Sequence, residues 1–140
     1  MAFEEGPYVQ VACFCEEVIE DKTGRFSLIH IIDTLIRSSK EPTSPEQMQP
    51  FSKNLKLVVM LKAGMAQGRS TLRIVQELPT GETEEPIEVT AYFDGDERGW
   101  HDIRARDFLF RYEGLYWFKV YLDDQKLAAI PLRVRYIPVR

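Results

Sequence analysis

Hydrophobic and polar residues alternate along most of this chain. Leu55, Leu57, Val59 and Leu61 lie on one side of an extended segment, and Lys56, Val58, Met60 and Lys62 on the other. A period of two is what a strand with one buried and one solvated face requires. The pattern repeats at Leu72, Ile74, Gln76 and Leu78 against Thr71, Arg73, Val75 and Glu77, and again at Ile87, Val89, Ala91 and Phe93 against Glu88, Thr90, Tyr92 and Asp94. Three consecutive strands follow.

Upstream, Tyr8 to Ile19 and Phe26 to Ile36 are rich in β-branched and aromatic residues. The polar stretch Glu20-Asp21-Lys22-Thr23-Gly24-Arg25 joins them, with Gly24 able to supply a positive φ, so the pair reads as a hairpin. Downstream, Ile103 to Phe110, Leu115 to Leu122 and Leu127 to Ile137 read as three more strands. No stretch of eleven or more residues keeps a 3.6-residue apolar period, so the expectation is an all-β fold: an antiparallel two-sheet sandwich of about eight strands.

Residues 1–140 are expected to form a single domain, with residues 1–7 flexible and 38–54 a long inter-strand loop crossing from one sheet to the other. Ser44-Pro45-Glu46-Gln47 suits one helical turn, with Ser44 as cap and Pro45 at the first helical position. In the last hairpin, inward-facing Tyr116, Phe118, Val120 and Leu122 would meet Ile130, Leu132 and Val134, pairing Val120 with Ile130 and Phe118 with Leu132. That register closes a loop over Asp124 to Lys126, and it sets Trp117 opposite Arg133 and Lys119 opposite Pro131. Pro131 cannot donate to a ladder, so the last strand is expected at a sheet edge or bulged there.

Length and composition change this picture little. At 140 residues, 44% hydrophobic and 29% charged, the chain can bury roughly 70% of its unfolded surface and needs no staple. The N-terminus lacks a basic region followed by an apolar one, and no apolar run reaches a membrane-spanning length. Cys13 and Cys15 are too close along one strand for an ordinary disulfide, which points to a reducing compartment, the cytoplasm by default. A net charge of −4 disfavours unspecific binding to nucleic acid or anionic membranes. The charge is uneven: residues 1–97 carry nine Lys/Arg against seventeen Asp/Glu, while residues 98–140 carry nine against five. Either the two segments neutralise each other, or the second presents a basic face to an acidic partner.

Candidate chemistry is sparse. Val9, Val11, Cys13 and Cys15 form one continuous face, so the cysteines read as core. The two histidines, His30 and His101, do not complete a zinc set with them. No Gly-x-Ser-x-Gly elbow accompanies either histidine, and a strand histidine bonded to a neighbour is the simpler reading. The carboxylates of Asp94-Gly95-Asp96-Glu97 lack the register of a calcium loop. No catalytic residue, metal or cofactor is expected. Tyr112-Glu113-Gly114-Leu115-Tyr116 has the Gly-x-Tyr spacing of the tyrosine corner in immunoglobulin-like sandwiches, without the companion cysteine, since position 118 is Phe. The best functional candidate is a surface: Trp117, Tyr121, Arg133 and Arg135 should project from the last two strands, a composition found at interaction hot spots.

The segments Val11-Ala12-Cys13-Phe14-Cys15-Glu16 and Thr23-Gly24-Arg25-Phe26-Ser27-Leu28-Ile29, the proline-containing loop, and Tyr112-Glu113-Gly114-Leu115-Tyr116-Trp117-Phe118 together resemble a family of short bacterial proteins known only as a domain of unknown function. The resemblance implies a bacterial β-sandwich and supplies no substrate. The expectation is therefore a non-enzymatic interaction module acting through a protein partner or self-association, with a small-ligand or carbohydrate-binding sandwich as the alternative.

Overall fold

The structure, a computed structural model, describes residues 6–39, 48–94 and 99–138. These residues form nine strands and no helix: β1 (Tyr8–Glu20), β2 (Phe26–Ile32), β3 (Thr34–Ser39), β4 (Phe51–Lys62), β5 (Gln67–Glu77), β6 (Ile87–Asp94), β7 (Gly99–Phe110), β8 (Gly114–Leu122) and β9 (Gln125–Pro138). They make a four-stranded sheet of order β2-β1-β4-β7 and a five-stranded sheet of order β3-β9-β8-β5-β6. The fold is an all-β two-sheet sandwich. The helical turn expected at Ser44–Gln47, the first five residues and the centre of the carboxylate-rich stretch lie outside the described residues.

Alternation places the core correctly through the middle of the chain. Leu55, Leu57, Val59 and Leu61 are buried against Leu72 and Ile74, and against Tyr116, Phe118, Val120 and Leu122. Aromatic rings tie the sheets together. Phe14 of β1 meets Phe108 of β7 at 5.4 Å and Phe118 of β8 at 4.7 Å between ring centroids, and Phe108 meets Phe118 at 5.7 Å. All three contacts are edge-on, the orientation that aromatic quadrupoles favour.

The long segment expected as a strand from Phe26 to Ile36 is two strands in different sheets. β2 pairs antiparallel with β1, whereas β3 runs parallel to β9 from Thr34↔Arg133 to Ser39↔Pro138. The chain changes sheets at Asp33, whose carbonyl accepts the Arg133 amide at 2.9 Å. β4 begins at Phe51, inside the loop expected over 38–54, and its ladder with β7 starts at Phe51↔Phe110.

Two expectations for the last hairpin fail. The inward set is right, but the register is shifted by two residues: Phe118 faces Ile130, Tyr116 faces Leu132, Trp117 faces Pro131, and Lys119 faces Ala129. The expected Trp117–Arg133 and Lys119–Pro131 pairs do not form, and Arg133 faces Leu115. The loop is a two-residue turn, Asp123-Asp124, closed by Leu122↔Gln125, with the extra residue absorbed as an irregularity near Leu127. The cause lies in β5: the Thr71 carbonyl accepts the Asp123 amide at 2.8 Å, and the Asp123 carboxylate accepts the Thr71 amide at 2.9 Å. This clasp holds Asp123 at φ 52°, a region Asp tolerates better than most residues. Nor is β9 an edge, because β3 flanks it. Pro131 lies two residues before Arg133, the amide that meets Asp33, so its ring nitrogen points the same way, just short of where β3 begins.

The tyrosine corner forms. Tyr116 is fully buried, its hydroxyl donates to the Tyr112 carbonyl at 2.7 Å, and it accepts the amides of Arg111 and Tyr112 at 3.0 and 2.8 Å. Its ring packs edge-on against Phe110 at 5.2 Å. Gly114 is required at this crossing: φ is +134°, and a Cβ there would come within 2.9 Å of Pro79.

The edge of the four-stranded sheet is guarded by charge. On β7, the residues between core-facing Trp100 and Phe108 on the same side include Asp102 and Arg104, paired at 3.3 Å. Inward-pointing charges at an edge oppose unplanned strand addition.

Replacing Tyr116 by Phe leaves two amides and a carbonyl without their partner. Urea denaturation is expected to read a loss of about 1–3 kcal/mol. Burial pushes the Tyr116 phenol's pKa up, against the backbone bonds at Tyr112 and Arg111 that lower it. A folded pKa above the unfolded one means this stability is intact below about pH 10 and lost as pH rises through the folded value. Alkaline unfolding should therefore be weaker in Tyr116→Phe than in the wild type. An unchanged urea midpoint would show that the corner carries no stability.

Candidate interaction surface

The five-stranded sheet sends alternate side chains inward and outward. Tyr116, Phe118, Val120 and Leu122 are buried in the core, so Leu115, Trp117, Lys119 and Tyr121 occupy the outer face of β8. The ladders carry that face across the sheet, to Pro131, Arg133 and Arg135 on β9, to Thr34 and Ile36 on β3, and to Arg73, Val75 and Glu77 on β5. All four residues expected at the surface lie here.

They do not form one cluster. Tyr121 faces Arg73, whose guanidinium lies 5.2 Å from its ring centroid, so this aromatic is already engaged. The Arg73 Nε is buried without a hydrogen-bond partner, and the π face is what meets its charge. Trp117 lies four residues away along β8. It is 36% exposed, faces Pro131, and is diagonal to Arg133. Arg133 and Arg135 are exposed and two residues apart on one face of β9. Ile36, the partner of Arg135, is 61% exposed, and Ile137 is 40% exposed. Trp117, Arg133 and Arg135 therefore share one patch with Pro131, Ile36 and Ile137. Ile137 was legible from its parity with the two arginines. Ile36 was not, because it arrives only through the parallel β3–β9 pairing.

The charge asymmetry is partly neutralised. Arg111 meets Glu84 at 2.9 Å and Lys119 meets Glu77 at 2.6 Å, joining C-terminal cations to acidic residues of β5 and of the β5–β6 connection. The hydrogen bond that Lys119 donates to Glu77, with the charge of that carboxylate, raises the Lys119 pKa against a smaller loss from desolvation. Among the described residues, no carboxylate pairs with Arg133 or Arg135.

The opposite sheet is covered on its outside. On β1, Val9, Ala12 and Phe14 face the core, because a register shift between Val9 and Val11 breaks the expected continuous face, and Cys13 and Cys15 turn to the outer face, not into the core as expected. Yet Cys15 and its outward neighbour Val58 are fully buried. The cover is the β1–β2 hairpin. The β1–β4 ladder stops at Cys15↔Lys56, and the β1–β2 ladder skips Glu16 and His30. His30 has φ 55°, and its Nδ1 lies 2.8 Å from the Glu16 carboxylate. Beyond this corner the hairpin folds back, bringing Phe26 to 4.8 Å from the His101 ring on the outer side of β7. A cleft of about 250 Å³ remains beneath it, lined by residues including Gln10, Glu20, Met60 and His101. Burial, and then the neighbouring Cys15, raises the Cys13 pKa. Burial raises that of Cys15 against the opposing pull of Lys56, so neither thiol is activated as a nucleophile. Among the described residues, Asp102 pairs with Arg104 and no carboxylate bonds to His101 as in a triad. No group of three or more potential metal ligands occurs among the described residues, and no helix of the described chain is long and apolar enough to cross a membrane.

A larger groove of about 610 Å³ opens beside β3 and β4, lined by residues including Thr34, Arg37, Phe51, Lys53 and Asn54. The Arg37 guanidinium stacks 5.2 Å above Phe51.

Fold and surface together define an all-β sandwich with one covered and one open outer sheet face. Residues 10–135 match the family of unknown function DUF6941, and the chain belongs to that family. No curated protein matches it.

If the hairpin tip is the cover, Phe26→Ala should raise the rate of Cys15 labelling by a thiol reagent about tenfold or more, through easier local opening. Equal rates in the two proteins would show that something else protects the thiol.

Proposed function

We propose that this protein is a non-enzymatic, cytoplasmic, bacterial interaction module that engages a protein partner through the open face of its five-stranded sheet. The observation that carries this reading is the patch around Trp117: a part-exposed indole opposite Pro131, two arginines with no carboxylate partner among the described residues, and exposed Ile36 and Ile137. Trp and Arg dominate interaction hot spots because each desolvates a large surface while keeping directional contacts. The free thiols of Cys13 and Cys15 support a reducing compartment, and the sequence resemblance supports a bacterial source. Parallel pairing of β3 with β9 and the tyrosine corner at the β7–β8 crossing support an immunoglobulin-like reading of the topology.

The groove beside β3 and β4 supports a second reading, a small-ligand or carbohydrate binder, since it joins an aromatic wall to polar and cationic groups.

Two measurements test these readings. Trp117→Ala combined with Arg133→Ala should keep the circular dichroism spectrum and melting temperature, and cost partner affinity on the order of 2 kcal/mol or more in pull-down titration. Undiminished affinity would remove the patch as the site. For the groove, a sugar or nucleotide should raise the melting temperature of the wild type but not of Lys53→Ala. Equal shifts in both proteins would place the ligand elsewhere.

A further inference from the structure

We propose that the open face takes an extended acidic protein segment laid along β9, with an apolar residue followed by two carboxylates at alternate positions. This rests on the interaction-surface reading above and specifies its occupant. Three points on one face of β9 fall at residues 131, 133 and 135: Pro131 opposite Trp117, then Arg133, then Arg135. Successive same-face positions of a strand repeat at about 6.7 Å. An extended ligand has the same repeat, so an apolar-x-acid-x-acid segment stacked on the sheet meets all three points in register. Ile36 and Ile137 border the second arginine and can hold a further apolar side chain.

Charge chooses the class of partner. Arg104, Arg111 and Lys119 already have carboxylates, whereas Arg133 and Arg135 have none among the described residues. Two guanidinium forks with free donors match two carboxylates. A nucleic acid fits less well. Two arginines neutralise only a short run of phosphates, and the third point of the site, Pro131 facing Trp117, calls for an apolar side chain that a phosphate backbone lacks.

The test titrates the full-length protein with a synthetic peptide containing Leu-x-Glu-x-Glu flanked by Gly and Ser, read by calorimetry and tryptophan fluorescence. Binding is expected that weakens as salt rises, and that falls at least about tenfold for a Leu-x-Lys-x-Lys peptide and for the Arg133→Glu, Arg135→Glu double variant. The variant's melting temperature is recorded alongside, and Arg133→Gln with Arg135→Gln, which adds no new charge, should give an intermediate loss. Equal binding of the Lys peptide, or tighter binding of single-stranded oligothymidylate, overturns the proposal. So does no binding by the wild type. If the Trp117→Ala, Arg133→Ala variant still loses its captured partner in that case, the surface reading stands and only the acidic occupant falls. If it does not, both fall.

Discussion

The edge-on contacts among Phe14, Phe108 and Phe118 are the constraint from which the rest of this structure follows. They join β1 and β7 of one sheet to β8 of the other at the centre of the sandwich. Fully burying one such ring stabilises the fold by roughly 2–3 kcal/mol, and three rings that interlock in register are expensive to rearrange. Once Phe14 points inward, parity is settled for its neighbours from Val11 to Cys15, up to the register shift between Val9 and Val11. Cys13 and Cys15 must then face outward beside Val58.

That outward set is apolar, and water would meet it unless something were laid over it. The chain uses its own first hairpin, interrupting the β1–β2 pairing at Glu16 and His30 and bringing Phe26 down on His101. The two sheets therefore end up unlike each other. One buries Cys15 and Val58 on its outer face as well as Phe14 on its inner one, and burial raises the pKa of both thiols. The other is sealed only on the inside and keeps Trp117, Arg133 and Arg135 in contact with solvent. The face that carries Trp117, Arg133 and Arg135 is the open one of the two, on a scaffold where Lys56, Arg104, Arg111 and Lys119 already have carboxylate partners.

Much of this was legible in the chain. Alternation located the strands that became β4, β5, β6 and β8 and named their buried residues, because half-buried strands leave a strict period of two. The spacing Tyr112-Glu113-Gly114-Leu115-Tyr116 announced a corner whose hydroxyl now holds three backbone groups. The four surface residues were placed on the right face because face depends only on parity. What failed was the pairing. Trp117 was set against Arg133 on the assumption that the last hairpin chooses its own register, whereas Asp123 is held by Thr71 of a third strand. The cysteines failed for a related reason: Val11, Cys13 and Cys15 lie on one face of the strand and Ala12 and Phe14 on the other, both apolar, and only the opposing sheet decides which is core. A register shift between Val9 and Val11 carries Val9 to the Phe14 side.

The sequence by itself thus determined the class of fold, the strands, the buried faces of most of them and the side of the sheet on which Trp117, Tyr121, Arg133 and Arg135 appear. Those properties are set by local periodicity and by turn residues, which act over a few positions. Tertiary structure alone decided that residues 26–36 divide between two sheets at Asp33, that β9 lies inside its sheet with β3 beside it, and that Ile36 joins the arginines while Tyr121 leaves them for Arg73. These are matters of which strands meet and at what offset. They depend on hydrogen bonds between residues tens of positions apart, and a linear pattern carries no record of the distances those bonds close.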